Sequence, residues 1–299
     1  NAANNLTWKY IPNSNYYVHT SLSRTKYDFN VDFSLDFVID STDSEIENTN
    51  ADLTMNIDNL VEDISLKQYI KFIFSNEFKL DAGWEYKFMN MDYSEFFAGR
   101  QTTHLDSEPT ISSIFFNSTW NVIPHLYLKY GIRLSKFSEY DDILVNPRIG
   151  MKYNPHSDLA LKASWGHYSQ YLFTINQEEE LLRIVDFWQP IPNGKKPQGA
   201  DHYIIGSEYW IADGNTPSLE AYYKSYSNVY DLNPLTSGTD IEGTLAIAGI
   251  GYSYGLELLY RLYLGKLSGW VSYAYSKIER EIDLNSDGTT TYNEVKTSL

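Results

Sequence analysis

Residues 146–172, reading NPRIGMKYNPHSDLALKASWGHYSQYL, change polarity at every second position. In the first half, Val145, Pro147, Ile149, Met151 and Tyr153 share one parity, and Asn146, Arg148, Gly150 and Lys152 the other. A polar turn follows, Asn154-Pro155-His156-Ser157-Asp158. Beyond it Leu159, Leu161, Ala163 and Trp165 share a face opposite Lys162, Ser164, Gly166 and Gln170. A period of two places successive side chains on opposite sides of a pleated strand. The stretch is therefore a β-hairpin with one apolar face and one charged or small face. What the chain can fold into depends on whether that apolar face meets a protein core or lipid.

The same period recurs along the chain. Leu6, Trp8 and Tyr10 alternate with polar residues, and a return run covers residues 16–27. Residues 28–59 read as a long polar segment whose Val31, Phe33, Leu35 and Phe37 extend a strand. A run over residues 64–74 turns at Asn76-Glu77. Phe78, Leu80, Ala82, Trp84, Tyr86 and Phe88 then oppose Lys79, Asp81, Gly83, Glu85 and Lys87. Residues 90–108 read as a loop. Ile114, Phe116, Trp120 and Val122 lead to a Pro124-His125 turn, and Leu126, Leu128, Tyr130, Ile132 and Leu134 return. A short loop near residues 139–142 precedes the first hairpin described. Residues 173–200 and 231–248 read as long loops. Strand pairs are expected at 202–212 with 218–230 and at 250–264 with 267–282, the last turning at Gly265-Lys266.

The count is about twelve strands in six hairpins, with short turns and long loops alternating. That asymmetry matches an outer-membrane barrel, which has short periplasmic turns and long extracellular loops. Composition favours lipid as the partner of the apolar face. Mean hydropathy is only −0.40, yet the chain holds 26 Tyr and is 16% aromatic. Barrel strands show lipid only every second residue and carry aromatic girdles at both interfaces. No apolar run reaches the roughly 18 residues of a membrane-spanning helix. A net charge of −16 argues against nucleic acid. The absence of cysteine excludes a disulfide framework and a thiol nucleophile. The expected fold is all-β, an antiparallel transmembrane barrel segment, with residues 1–299 forming one partial barrel domain. If the short turns are periplasmic, both chain ends are extracellular. Complete even-stranded barrels have periplasmic ends, so the chain reads as an internal fragment.

Three separated stretches carry a resemblance. They are Asn146-Pro147-Arg148-Ile149-Gly150 with Leu161-Lys162-Ala163-Ser164-Trp165-Gly166; residues 202–208 with Leu219-Glu220-Ala221-Tyr222-Tyr223-Lys224; and Tyr252-Ser253-Tyr254-Gly255-Leu256-Glu257-Leu258 with residues 269–276. Together, over about residues 126–281, they resemble the middle hairpins of TonB-dependent outer-membrane receptors. The resemblance implies a 22-stranded barrel around an N-terminal plug, energised by the TonB–ExbB–ExbD complex through parts without a counterpart here. It implies the outer membrane of a Gram-negative bacterium as location, with the bilayer and lipopolysaccharide as surroundings. It also implies uptake of a scarce nutrient: a ferric siderophore, haem, cobalamin, a glycan or a peptide. Nothing in it implies an enzyme. A passive 12-stranded porin, and a structural or adhesive surface barrel with calcium-binding loops, are the other readings.

The polar face supplies the site candidates. Gly83-Trp84-Glu85, Gly206-Ser207-Glu208 and Gly255-Leu256-Glu257 each put Gly and Glu inward. An inward Gly leaves room for a bulky neighbour such as a plug. An inward Glu has Arg133, Arg148 or Arg261 as partners across the wall, or is generic lumen polarity. Tyr171, Phe173, Phe187, Trp188 and Tyr230 either stack on a ligand above the lumen or belong to the upper aromatic girdle. The acidic runs at residues 40–58 and 178–180 bind cations, bridge lipopolysaccharide through divalent ions, or are solvated surface. Asp283, Asn285, Asp287, Gly288 and Glu294 fit the spacing of a calcium loop. Thr290 stands where such loops carry an aliphatic residue and the flanks read as strand, so Ca²⁺ competes there with a plain polar turn. The six His show no paired metal spacing, and Ser169 near His167 is only a proximity in sequence.

Overall fold

The computed structural model describes residues 1–39, 49–175, 187–211, 214–232 and 246–282. Strands β1 (Ala2–Tyr10), β2 (Tyr16–Ile39), β3 (Thr49–Ile73) and β4 (Phe78–Phe97) begin an antiparallel meander. After β5 (Arg100–Ser107) it continues with β6 (Thr110–Ile123), β7 (Leu126–Phe137), β8 (Ile143–His156) and β9 (Leu159–Gln170). After a hairpin of β10 (Leu172–Ile175) and β11 (Phe187–Pro190) it ends with β12 (Gln198–Tyr209), β13 (Thr216–Leu232), β14 (Ala246–Leu264) and β15 (Leu267–Ile282). Twelve of these strands pair in chain order, β5 adds to β4 alone, and β10–β11 stands apart as its own two-stranded sheet. The described sheet is open, with β1 and β15 each paired on one side. The turns at residues 11–15, 74–77, 124–125, 157–158 and 265–266 lie at one edge, with the end of β12 and the start of β13, and the other strand ends lie at the opposite edge.

Register confirms the expected faces. Lys67↔Glu85↔Ser113↔Ser135 form one row across β3, β4, β6 and β7, and Leu66↔Tyr86↔Ser112 the adjacent row on the opposite face. Trp84, Tyr86, Ile114, Phe116, Ile132, Ile149, Leu161, Tyr203, Tyr223, Leu256 and Tyr273 are all exposed on the outer face. In water such a belt would be a large exposed apolar patch; in lipid it is the required surface. The ladders pair the backbone of the wall, which hydrocarbon demands.

Polarity inverts along the longer strands. In β4 the outward residues below Met89 are apolar and the inward ones polar. From Met89 onward the inward Met89, Met91 and Tyr93 are buried, while the outward Asn90, Asp92 and Ser94 are polar. The same switch occurs in β3, where Ile64 and Leu66 face outward but Ile57 and Val61 face inward. β2 follows, with Tyr27 and Phe29 stacked on the inner face and Asp28, Asn30 and Asp32 outside. Outside that level, water replaces lipid as the outer solvent, so the apolar side turns to the interior.

This inversion explains where the structure departs from the sequence reading. Residues 90–108 are not a loop: β4 runs to Phe97 and returns as β5 through Ala98 and Gly99, whose φ values of 49° and 72° suit a two-residue hairpin turn. Residues 28–39 continue β2, as the Val31 to Phe37 alternation indicates, and residues 49–59 are strand as well, with β2 and β3 in register as far as Ile39↔Thr49. Residues 173–200 contain β10, β11 and the start of β12. Along β3, β4 and β5 polar outward residues hid the strand, whereas β10 and β11 are four-residue runs too short to show a period. The three Gly-Xaa-Glu glycines do face inward, but neighbours in the wall itself approach them. A Cβ on Gly83 would lie 2.8 Å from Phe115 Cζ, and one on Gly255 would lie 2.6 Å from the Tyr222 ring. Gly206 is more open, with Leu219 O at 3.2 Å.

Candidate functional site

The β10–β11 insert folds onto the concave face. β11 touches β3 and β4, while β10 touches β13. Strands so far apart in the sheet share one insert because the sheet curves around it. Phe173 and Ile191 from the insert join Met89, Met91, Ile111, Phe137 and Tyr230 in one buried cluster, with Tyr171, Leu172 and Trp188 packed against it. The Phe137 and Tyr171 rings lie 5.3 Å apart, and those of Phe173 and Tyr230 lie 5.9 Å apart. Backbone bonds pin the ends of the segment: Ile191 N–H donates to Tyr171 O (2.9 Å) and Gly194 N–H to Glu139 O (2.8 Å). The Tyr230 hydroxyl donates to Lys196 O at 2.8 Å. Tyr171, Phe173, Trp188 and Tyr230 are therefore interior residues and not an outer girdle. The side chain of Phe187 lies outside the described residues.

Beside this insert lies a cleft of about 570 Å³, lined by Glu85, Lys87, Met89, Ile111, Arg133, Asn146, Arg148, residues 167–172 and Trp188. Its position follows from a proline. The β8–β9 register runs up to Arg148↔Gly166 and stops, while β9 keeps pairing with β12 as far as Gln170↔Gln198. The next residue of β8 is Pro147, which has no N–H to give to a ladder. Above that point a side-chain bond joins the two strands, Ser169 Oγ to Asn146 Oδ1 at 2.8 Å.

Most charge in the cleft is neutralised. Arg133 Nη2 contacts Glu85 Oε2 (2.7 Å) and Ser113 Oγ (2.9 Å), reaching diagonally across β6. Its guanidinium lies 6.0 Å from the Phe115 ring centre. Lys87 pairs with Asp63 at 2.5 Å, and His167 Nδ1 lies 3.2 Å from Asp201. Arg148 differs. Its Nη2 and Nε donate to the neutral Asn117 Oδ1 at 2.7 and 3.1 Å. Among the described residues no carboxylate lies within ion-pair distance of it. Burial pushes the Tyr171 phenol above its ordinary value, against the opposing pull of its Ser135 hydrogen bond and Arg133.

Of the residues singled out in the sequence, Glu85, Arg133, Arg148, Tyr171 and Trp188 meet at this cleft. Glu208 and Arg261 do not; they lie toward the short-turn edge, where Glu208 binds Lys162 at 2.7 Å and Arg261 at 3.9 Å. Glu257 stands opposite Glu220 in register and has no ion pair among the described residues. The calcium-type loop, Asp283 to Glu294, and the acidic run 178–180 lie outside the described residues. Among the described residues no group of three or more His, Asp or Glu gathers to hold a metal. Sequence reading missed Asn117, Ser113, Asn146, Lys87 and Asp63. Their signal was parity alone, and parity does not say which strands are neighbours.

The family described as "TonB dependent receptor-like, beta-barrel" matches residues 1–297. No curated protein sequence is significantly similar. Three solved structures share the fold at low identity. The ferripyoverdine receptor of the outer membrane of Pseudomonas aeruginosa, bound to ferripyoverdine, has a TM-score of 0.61 and 13% identity over 95% of this chain and 39% of its own. The alcaligin outer-membrane receptor FauA of Bordetella pertussis gives 0.56 and 13% over 99% and 55%. The RagAB peptide transporter gives 0.60 and 13% over 98% and 37%. The chain thus spans between about two fifths and just over half the length of these relatives.

Proposed function

We propose a function from one premise: the chain belongs to the TonB-dependent receptor β-barrel family. On our reading it is wall from an outer-membrane transporter of a Gram-negative bacterium, with the short turns in the periplasm and the long connections outside the cell. Ligand is captured at the cleft and then carried inward by a plug that the TonB complex moves. The observation that carries this reading is a ligand-sized cleft at the outer mouth of the wall, set beside an inward-folded insert. Ligand pockets commonly span about 300–1,000 Å³. An outward lipid belt with an inward polar face supplies the channel that such transport needs. The ferripyoverdine, alcaligin and peptide relatives show the breadth of cargo such walls carry. The cargo here is a small organic solute, a metal complex or a peptide.

The full-length protein in its native membrane tests this. Disrupting TonB should abolish its ligand uptake, and the purified protein should hold planar bilayers at low conductance because a plugged barrel is closed. Steady high conductance with uptake that survives loss of TonB would overturn the transporter and leave a passive pore.

A further inference from the structure

The cleft has a charge signature of its own. Two of its cations are matched by carboxylates, Arg133 by Glu85 and Lys87 by Asp63, and the His167 ring lies beside Asp201. Among the described residues Arg148 is matched only by an amide, and it is exposed to the cleft. Asn117 grips its Nη2 and Nε through one oxygen, which fixes the guanidinium plane while leaving its charge and its remaining N–H donors unspent. The position is also fixed from behind, because Arg148 is the last β8 residue paired with β9 before Pro147. The lining also offers aromatic and apolar surface, from Tyr168, Tyr171, Leu172, Trp188 and Met89, beside the polar Asn146, Ser169 and Gln170.

From this arrangement we infer that the cleft selects organic anions: ligands with an aromatic or apolar body and an acidic group that docks on Arg148. The inference rests on the cleft being the ligand site proposed above and deepens that reading. A surplus positive charge stands out in a chain of net charge −16. A neutral glycan leaves the Arg148 guanidinium unpaired. A cationic ligand meets it as a like charge. An anion pairs with it in a site less screened than open surface. Arg148 is thus the specificity-determining cation.

The test uses the full-length protein in nanodiscs and two fluorescent probes, pyrene tetrasulfonate and a pyrene carrying a quaternary ammonium group. Fluorescence anisotropy should show saturable binding of the sulfonate, weakened by salt, and none of the cation. Arg148→Gln should weaken the sulfonate at least about tenfold, a loss of about 1.4 kcal/mol. Arg148→Lys should keep most of the affinity, and Lys266→Gln, at a distant turn, should change nothing. Failure of the sulfonate to bind, equal binding to Arg148→Gln, or preference for the cation each overturns the inference. Uptake that proves independent of TonB while sulfonate binding still requires Arg148 overturns the transporter reading alone.

Discussion

Replacing Ile191 with alanine asks whether the β10–β11 insert is a fixed part of the wall. Ile191 is fully buried, in the cluster that joins the insert to β4, β6, β7 and β13. Truncating a buried Ile to Ala costs about 2–5 kcal/mol, the spread depending on how far the site collapses. The strands are held by continuous ladders, whereas the insert rests mainly on this cluster and a few hydrogen bonds. Most of the cost should therefore fall on docking of the insert and little on the sheet. At about 3 kcal/mol the undocked population rises roughly 150-fold, since each 1.4 kcal/mol is a factor of ten. Hydrogen exchange of the full-length protein reads this directly. The amides of Ile191 and Gly194, bonded to Tyr171 O and Glu139 O, should exchange about two orders of magnitude faster. Peptides from β6 and β7 should be unchanged. Unaltered protection across residues 187–197, or an equal loss in the barrel strands, would refute the idea that this cluster holds the insert as a separately docked unit.

Three further outcomes are expected. Leu256→Arg puts a charge on the lipid face and should cost about 2–4 kcal/mol if it lies near the bilayer midplane, while Glu257→Arg on the inner face should cost little; urea titration of the folded barrel compares them, and equal costs would contradict the assigned faces. Gly255→Ala should cut the yield of folded protein, because its Cβ would lie 2.6 Å from Tyr275 O as well as from Tyr222; adding Tyr222→Ser should rescue it only in part, since the backbone clash stays. Burial holds the Tyr171 phenol above its ordinary 10.0, so the folded state prefers the neutral form. Docking of the insert should accordingly be insensitive to pH below about 10 and weaken as pH rises beyond it; proteolytic nicking within residues 171–197 that increases on acidification would count against this.

Much of the wall was legible locally. Alternation over Phe78 to Phe88 assigns each side chain to a face because the pleat has a period of two, and the structure keeps that assignment. The turns at Pro124-His125 and Gly265-Lys266 could be read from residue type and from the runs on either side. The extracellular ends could not. There the solvent changes from lipid to water, so the rule linking apolar to outward reverses at Met89, and the end of β4 with β5 reads as loop and the start of β3 as polar segment.

The sequence by itself determined that this chain makes a curved antiparallel wall with a lipid face and a wet face, because both properties follow from the parity of near neighbours. It also offered Glu85, Arg133, Arg148, Tyr171 and Trp188 as candidates without saying that they meet. Tertiary structure decided that Glu85 and Arg133, 48 positions apart, form a pair. It decided that, among the described residues, Arg148 meets an amide and no carboxylate, and that a distant insert builds one wall of the cleft. Those outcomes depend on strand register and on how an insert folds back across a concave sheet. Contacts of that kind join residues far apart in the chain, and no local pattern records them.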